Sequence, residues 1–273
     1  RAGNPAGIGI YVQDGSRANI ITFNTLGSNL QGKRLEENSN IVENNTDENN
    51  TDIGIYVLSE NNTIRNNTLI TNSKGIDFVG AGNNTAHGNF IRGSTLAAVR
   101  IQSTSQSNTF TNNTFMDQPR GVLVTVGQTN TLNLFYYNNF TNSTILHIDD
   151  LNGGNFWNTT VGGRAHGNKY ANISDLKIYD TNADGFGDSG AQYPYNSSNG
   201  GNVSVNVTDW GPITAKTVSI VTTLNIPKQS YYNDTANPFN ITFNCSATTD
   251  NSLVNISLYI TNSTNLSFIR NST

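Results

Sequence analysis

The strongest constraint in this sequence is a repeat between Gly54 and Ile148. One motif returns at spacings of 21 to 24 residues. Its copies are Gly54-Ile55-Tyr56-Val57, Gly75-Ile76-Asp77-Phe78, Ala98-Val99-Arg100-Ile101, Gly121-Val122-Leu123-Val124 and Ile145-Leu146-His147-Ile148. A second motif lies between them, as Asn62-Thr63-Ile64, Asn84-Thr85-Ala86, Asn108-Thr109-Phe110 and Asn130-Thr131-Leu132. Two short strands in each repeat, separated by Asn-rich corners at a fixed period, indicate a solenoid, and the pattern begins near residue 7.

Alternation along the first motif predicts which side chains face the interior. Successive residues of a strand point to opposite faces. The predicted inward column is Ile10/Val12, Ile55/Val57, Ile76/Phe78, Val99/Ile101, Val122/Val124 and Leu146/Ile148. The predicted outward column is Tyr11, Tyr56, Asp77, Arg100, Leu123 and His147, which have no consistent chemistry. Asp77 and Arg100 are expected about one strand spacing apart, roughly 4.8 Å.

Residues 32–53 depart from the repeat. Lys33 takes an inward position, and the densest charge of the chain surrounds it. We expect a bulged turn with a protruding loop here. Such a loop is either a binding element or a tolerated insertion.

Composition excludes several classes of protein. Charged residues make up 12% of the chain and the net charge is −4, whereas a nucleic-acid-binding protein carries a basic stripe. The chain has no run of 18 apolar residues, so we expect no membrane span within it. One cysteine, Cys245, excludes an internal disulfide.

About twenty Asn-x-Ser/Thr triplets indicate a glycosylated protein at the cell surface or outside the cell. An Asn- and Thr-rich chain also produces such triplets by chance. The predicted N-glycan acceptors are Asn61, Asn66, Asn112, Asn139, Asn158, Asn196, Asn240, Asn255 and Asn262.

The repeat ends after Ile148, and two further regions follow. Residues 154–213 are rich in aromatic residues suited to cover the open apolar end of a solenoid. Residues 214–273 show period-two alternation, as in Ile241, Phe243 and Cys245, typical of antiparallel sandwich strands. An immunoglobulin-type sandwich takes about 100 residues. We therefore predict a domain over 1–213 and a partial Ig-like module over 214–273, which is either incomplete or exchanges strands with another copy of the chain.

The segment Asp180–Asp188 predicts a calcium site. Hard cations take oxygen ligands at alternate positions around a glycine turn. The expected ligands are the side chains of Asp180, Asn182, Asp184 and Asp188 with the carbonyl of Phe186. The twelfth position is Ala191 instead of the glutamate of an EF-hand, so water or a distant side chain would complete the coordination. A plain Asx turn is the alternative.

Other groups offer weaker indications of chemistry. The three histidines, His87, His147 and His166, fall in different phases of the repeat, so nothing brings them together as a transition-metal site. Cleavage of a polysaccharide would use paired carboxylates, or a carboxylate with Arg or Lys, on one outward face. Asp77 with Arg100 and Asp149 with Asp150 are the two candidate pairs, and solvated surface groups explain them equally well.

These motifs resemble a known family. The stacked Asn-x-Ile-x-x-Asn and Gly-Ile-x-Val motifs, Gly154-Asn155-Phe156-Trp157, the Asp180–Asp188 loop and Tyr193-Pro194 are similar to NosD-like β-helix domains. The resemblance covers about residues 1–213. It implies a right-handed parallel β-helix outside the cytoplasm, as in periplasmic copper-maturation proteins and archaeal surface proteins. Asn255-Ile256-Ser257-Leu258-Tyr259 in the tail resembles Ig-like modules of archaeal surface glycoproteins. A shared fold does not imply a shared activity.

The sequence therefore predicts an all-β protein, a right-handed parallel β-helix followed by an Ig-like β-sandwich. The leading hypothesis is a non-catalytic, glycosylated cell-surface protein. It would form a surface layer, sheath or filament with copies of itself, or serve as an adhesin stalk. A polysaccharide lyase or hydrolase is the alternative, and copper delivery is the third.

Overall fold

The computed structural model describes residues 7–13, 15–126, 129–218, 220–226, 244–249, 258–261 and 268–272. The chain divides into two compact units, Arg1–Lys216 and Thr217–Thr273. The first unit is a right-handed β-solenoid of parallel strands, as predicted. Among the described residues no helix is long and apolar enough to cross a membrane.

Strands are numbered in chain order. Sheet A runs along one side of the solenoid and contains the first motif of each repeat. Its strands are β1 (Ile8–Val12), β4 (Gln31–Leu35), β7 (Ile53–Val57), β10 (Lys74–Val79), β13 (Ala97–Gln102), β16 (Arg120–Val124) and β19 (Leu146–Asp150). Each strand pairs in parallel with the equivalent strand of the next coil.

Two further parallel sheets complete each coil. Sheet B contains β2 (Ile20–Thr22), β5 (Ile41–Glu43), β8 (Thr63–Arg65), β11 (Thr85–His87), β14 (Thr109–Thr111) and β17 (Leu134–Tyr136). Sheet C contains β3 (Thr25–Gly27), β6 (Thr46–Glu48), β9 (Thr68–Ile70), β12 (Phe90–Arg92), β15 (Thr114–Met116), β18 (Asn139–Thr141) and β22 (Lys169–Tyr170). A coil therefore has three strands, where the repeat had predicted two.

Left-handed backbone turns the chain at each corner. Three columns of residues, one for each corner, have φ between 52° and 66°. Examples from one coil are Asn61, Asn66 and Thr71. Left-handed backbone is strained for most side chains, and asparagine tolerates it better than other non-glycine residues. Seven of these corner residues are asparagine.

The next residue after many corners is a second, buried asparagine that joins one coil to the next. In the middle ladder, the backbone N–H of Asn67 donates to Oδ1 of Asn89 at 3.0 Å, and Nδ2 of Asn67 donates to the same atom at 3.0 Å. Asn89 repeats both bonds to Asn113. The ladder runs through Asn24, Asn45, Asn67, Asn89, Asn113, Asn138 and Asn168. These side chains satisfy backbone groups at corners that no strand can pair.

Apolar side chains and stacked aromatic rings fill the interior. Most of the predicted inward column is buried. One aromatic stack joins Phe110 to Phe135 at 4.3 Å between ring centroids and Phe135 to Trp157 at 4.5 Å. A second ends with Tyr170 on Tyr195 at 3.8 Å. Rings from the cap thus extend the core beyond the last coil.

The predicted protruding loop over 32–53 is wrong. This segment forms a regular coil made of β4, β5 and β6. Lys33 does point inward, but its ammonium group donates to both carboxylate oxygens of Asp47 at 2.7 Å, and both side chains are fully buried. Because Asp47 neutralises Lys33 inside the core, the coil has no need to bulge.

The register of the last coil also differs from prediction. Ile148 pairs with Val122, two residues away from the predicted alignment with Val124. His147 therefore leaves the predicted outward column and is buried, with 3% of its surface exposed. In the Asn motif, Asn133 instead of Asn130 accepts from the backbone N–H of Asn108. The coils differ in length, so the alignment of Ile148 and that of the Asn motif both shift from the predicted positions.

The cap covers the C-terminal end of the solenoid. It comprises β20 (Thr159–Val161), β21 (Arg164–His166), a 3-10 turn (Ile173–Asp175), β23 (Tyr195–Asn196), a second 3-10 turn (Ser197–Asn199) and β24 (Thr208–Asp209). Asp209 takes the position that the next ladder asparagine would occupy. Its Oδ2 accepts the backbone N–H of Asn168 at 2.8 Å.

In the second unit, β25 (Ile220–Ile226) pairs antiparallel with β26 (Asn244–Thr249). β27 (Leu258–Thr261) pairs antiparallel with β28 (Phe268–Ser272). Cys245 lies on β26, opposite Leu224. The predicted strand residues Ile241 and Phe243 lie outside the described residues. The Ig-like assignment of this unit stays a prediction.

Candidate functional site

The outer face of sheet A is the surface on which the sequence placed its candidate catalytic groups. Neighbouring strands align one residue of each in a single row: Tyr11, Arg34, Tyr56, Asp77, Arg100, Leu123 and Asp149. The guanidinium carbon of Arg34 lies 5.8 Å and 5.2 Å from the ring centroids of Tyr11 and Tyr56, which is within cation–π range. Residues of this row therefore contact one another from one coil to the next.

The acidic residues of this face are tied to arginines. Arg100 donates to Asp77 through Nε at 2.9 Å and Nη2 at 2.5 Å, and it covers the carboxylate almost completely. Arg120 donates to Asp149 at 2.7 Å. Asp150 is buried where the chain enters the cap: its Oδ1 accepts the backbone N–H groups of Asn152 and Gly153, and its Oδ2 accepts Nδ2 of Asn155 at 3.0 Å.

Neither predicted pair is therefore arranged for acid–base catalysis. A general acid needs a carboxyl group that reaches substrate and holds its proton near neutral pH. Asp77 is enclosed by Arg100, and the Asp149–Asp150 pair is divided between the outer face and the cap. Among the described residues, Asp77 and Asp149 of this face form ion pairs that join neighbouring coils.

The predicted calcium loop lies in the cap. Asp180 is buried, and its two oxygens accept the backbone N–H groups of Asp184 at 3.2 Å and Gly185 at 2.7 Å. Oδ1 of Asn182 accepts the N–H of Asp184 at 3.0 Å. Oδ1 of Asp184 accepts the N–H of Phe186 at 3.0 Å. Two consecutive Asx turns, at Asn182 and Asp184, together with the buried carboxylate of Asp180, thus shape the loop.

Two further side chains, Arg164 and Thr181, bond to the remaining carboxylate oxygens of the loop. Nη1 of Arg164 donates to Oδ2 of Asp184 at 2.9 Å. The hydroxyl of Thr181 lies 2.7 Å and 2.8 Å from the two oxygens of Asp188. Among the described residues, no group of three or more His, Cys, Asp or Glu side chains is placed to hold a metal ion. Arg164 was missed from the sequence, since its contact with the loop spans 20 residues.

The predicted glycan acceptors occupy two kinds of position. Asn61, Asn66 and Asn112 are exposed at left-handed corners. Asn139, Asn158 and Asn196 are half-buried. Oδ1 of Asn158 accepts the N–H of Trp210 at 3.3 Å, and Oδ1 of Asn196 caps the second 3-10 turn. Asn240, Asn255 and Asn262 lie outside the described residues.

The three histidines lie in separate environments. His87 is on β11, with its Nδ1 3.5 Å from Nδ2 of Asn112. His147 is inside the core, where burial lowers its pKa to about 4. Nδ1 of His166 lies 2.7 Å from the hydroxyl of Tyr137, and its ring stacks on Phe186 at 3.9 Å.

Comparison with protein families gives one match. Two overlapping segments, residues 3–119 and 59–175, match the model described as periplasmic copper-binding protein (NosD). Together they span well over half of the chain. The chain belongs to the NosD family. No curated protein matches the sequence.

Among the described residues, the side chains of this NosD-family chain do not fit a copper centre. Copper is held by convergent imidazole, thiolate or thioether ligands. His87, His147 and His166 do not converge, and Met116 projects from another sheet, on β15. Within the described residues we therefore assign no copper ligands.

Proposed function

We propose that this NosD-family chain is a non-catalytic structural protein of the cell surface. It would act as the repeating unit of a surface layer, sheath or filament, or as an adhesin stalk. The observation that carries the proposal is that side chains of both the core and the outer face bond from coil to coil. Ladders such as Asn67–Asn89–Asn113 and ion pairs such as Asp77–Arg100 both serve stacking. Family membership supports a location outside the cytoplasm.

Electron microscopy tests this proposal. We expect ordered arrays or filaments on native cells, and concentration-dependent assembly of the purified chain with calcium present. Association would proceed through copies of the chain, including exchange of strands between their second units. A chain that stays monomeric at high concentration with calcium, together with cells that lack ordered material, would contradict it.

N-linked glycans form the second part of the proposal. The corners supply a structural reason for many acceptor triplets. In Asn66-Asn67-Thr68, the first residue is the exposed left-handed corner, the second is a ladder asparagine and the third begins β9. The exposed first asparagine of such triplets remains accessible to a glycan. Peptide mass spectrometry of native protein should find Asn61, Asn66 and Asn112 modified more fully than half-buried Asn139 and Asn196.

Calcium binding at the Asp180–Asp188 loop is the third part. The ion would be held by Asp180, Asn182, Asp184, Asp188 and the carbonyl of Phe186, and it would displace Arg164 from Asp184. A ligand that binds only the folded state stabilises it by about 2.7 kcal/mol at a hundredfold excess over Kd. We expect calcium to raise, and chelator to lower, the melting temperature.

Matched variants make the calcium test specific. Asp184→Asn should abolish the calcium effect, whereas Arg164→Ala should strengthen it by removing the competing cation. Asp175→Asn, at an exposed residue of the first 3-10 turn, serves as the control. Copper added in the same assay should leave the melt unchanged. Melting curves of the wild-type chain that coincide with and without chelator would refute a calcium site.

A further inference from the structure

A cleft opens in the cap beside the Asp180–Asp188 loop. Its empty space, part of which is open solvent, is about 340 Å³, and it combines aromatic side chains with a polar rim. The lining residues that carry the argument are Trp210, Tyr193, Phe186, Arg164, Asp184 and Asn182.

Trp210 is the most unusual residue of the cleft. Its backbone N–H donates to Asn158 at 3.3 Å, and its carbonyl accepts the hydroxyl of Tyr193 at 2.9 Å. The next residue, Gly211, lies so close to β21 that a Cβ there would be 2.1 Å from the carbonyl oxygen of Ala165. Although the main chain is fixed on both sides, Trp210 is 52% exposed. An indole held in place and left in water is preorganised for a ligand with an apolar face.

The neighbouring rings give the cleft two apolar walls. Tyr193 stands at 74° to Trp210, with 5.9 Å between ring centroids. Phe186 is fixed from behind by its stack on His166. A flat molecule can therefore lie on one ring while its edge contacts another.

The polar rim carries both hydrogen-bond donors and acceptors. Arg164 and Asp184 form an ion pair, and Arg164 keeps 56% of its side chain exposed. Exposed Asn182 adds an amide group. Arg164 neutralises Asp184 and Asp188 adds one further negative charge, so the rim disfavours anionic ligands. Ligands with adjacent hydroxyl groups suit this set because each hydroxyl both donates and accepts.

We propose that this cleft binds a neutral pyranose unit of a polysaccharide, with the C–H face of the sugar on Trp210 and its hydroxyls bonded to Arg164, Asp184 and Asn182. A pyranose ring has one face of C–H groups and a rim of hydroxyls, which match the apolar walls and the polar rim. The site is independent of the structural role proposed above. It shares the loop with the proposed calcium site, so binding is measured with calcium and with chelator.

NMR of the two tryptophan indole N–H groups tests the proposal directly. Trp157 is buried and Trp210 is exposed, so one signal reports on the core and the other on the cleft. The probes are the methyl glycosides of glucose, mannose and galactose, titrated into the unglycosylated full chain. We expect at least one to shift the Trp210 signal in a saturable way with a millimolar Kd, while the Trp157 signal stays unchanged.

Variants decide whether the cleft is the site. Trp210→Ala should weaken binding of that sugar by about tenfold or more, and Trp210→Phe should retain part of it. Phe23→Ala removes an even more exposed aromatic, 80% exposed in the first coil, and should leave binding unchanged. Melting temperatures of all variants should match wild type. If no probe shifts the Trp210 signal, or if only a glucuronate or an aromatic peptide does so, the proposal is wrong.

Discussion

Replacement of Asp47 by leucine is expected to lower the free energy of unfolding by about 3–5 kcal/mol, because it leaves the ammonium group of Lys33 buried without a partner. Both side chains are fully buried, and both carboxylate oxygens lie 2.7 Å from Nζ. Burial lowers the pKa of Lys33 and raises the pKa of Asp47 to about 6, and the attraction between them opposes both shifts. Lys33→Ile should lower the free energy of unfolding by a similar amount, because it leaves the carboxylate of Asp47 buried without a partner.

The double variant is the informative comparison. In the adjacent coils, Ile10 and Ile55 occupy the position of Lys33, and Leu26 and Leu69 occupy that of Asp47. Lys33→Ile combined with Asp47→Leu therefore restores the apolar pattern of the neighbours. Replacing a buried ion pair with apolar residues is often neutral or stabilising by about 1–4 kcal/mol.

Urea unfolding of the four proteins gives the coupling free energy of the pair. We expect both single variants to be strongly destabilised and the double variant to equal or exceed wild type. Arg92→Ala, which removes an exposed ion pair with Asp117, should change stability by about 0–1 kcal/mol and serves as the control. If the double variant instead lost the sum of the free energies of unfolding lost by the two single variants, Lys33 and Asp47 would not act as a coupled pair.

The second large effect concerns Asp209, the carboxylate at the end of the middle asparagine ladder. Its oxygens accept the N–H of Asn168 at 2.8 Å, the N–H of Gly211 at 2.9 Å and the hydroxyl of Tyr170 at 3.0 Å. Asp209→Ala is expected to destabilise the protein strongly at all pH values. Each buried donor left without an acceptor costs about 1–3 kcal/mol.

Asp209 also predicts a pH dependence with a definite sign. Burial raises its pKa to about 7 from 3.8, although hydrogen bonds from Gly211, Asn168 and Tyr170 oppose the shift. Between these two values the folded protein binds a proton that the unfolded chain has released. The contribution of Asp209 to the free energy of unfolding therefore falls as pH rises through this window, by up to about 1.4 kcal/mol per pH unit.

Asp209→Asn tests this sign because asparagine cannot ionise and its Oδ1 can still accept from Asn168. We expect the stability of this variant relative to wild type to improve steadily as pH rises from 4 to 7. Asp47 and His147 titrate in both proteins, so their contributions cancel in the comparison. Stability–pH curves that run parallel for the wild type and Asp209→Asn would exclude the predicted role of Asp209.

Two contacts, Lys33–Asp47 and Asn168–Asp209, were not predicted from the sequence. They depend on the position of each residue in its column more than on its residue type. Lys33 was recognised as inward-facing, but its partner was not, because Asp47 belongs to another sheet. The signal was present, since Asp47 stands where both neighbouring coils have leucine. Asp209 gave no such signal, because it joins the ladder 41 residues after Asn168 and outside the repeat.

The sequence by itself determined the parallel β-helix, its period and most of its inward column. These features depend on local alternation and on asparagine at corners, both of which repeat in every coil. Only the tertiary structure decided the three strands per coil, the Lys33–Asp47 pair, the burial of His147 and the meeting of Arg164, Asp184 and Trp210 in the cap. Those contacts join residues that are not related by the repeat. Their placement depends on the length of each insertion and on which side chain can neutralise or cover its neighbour.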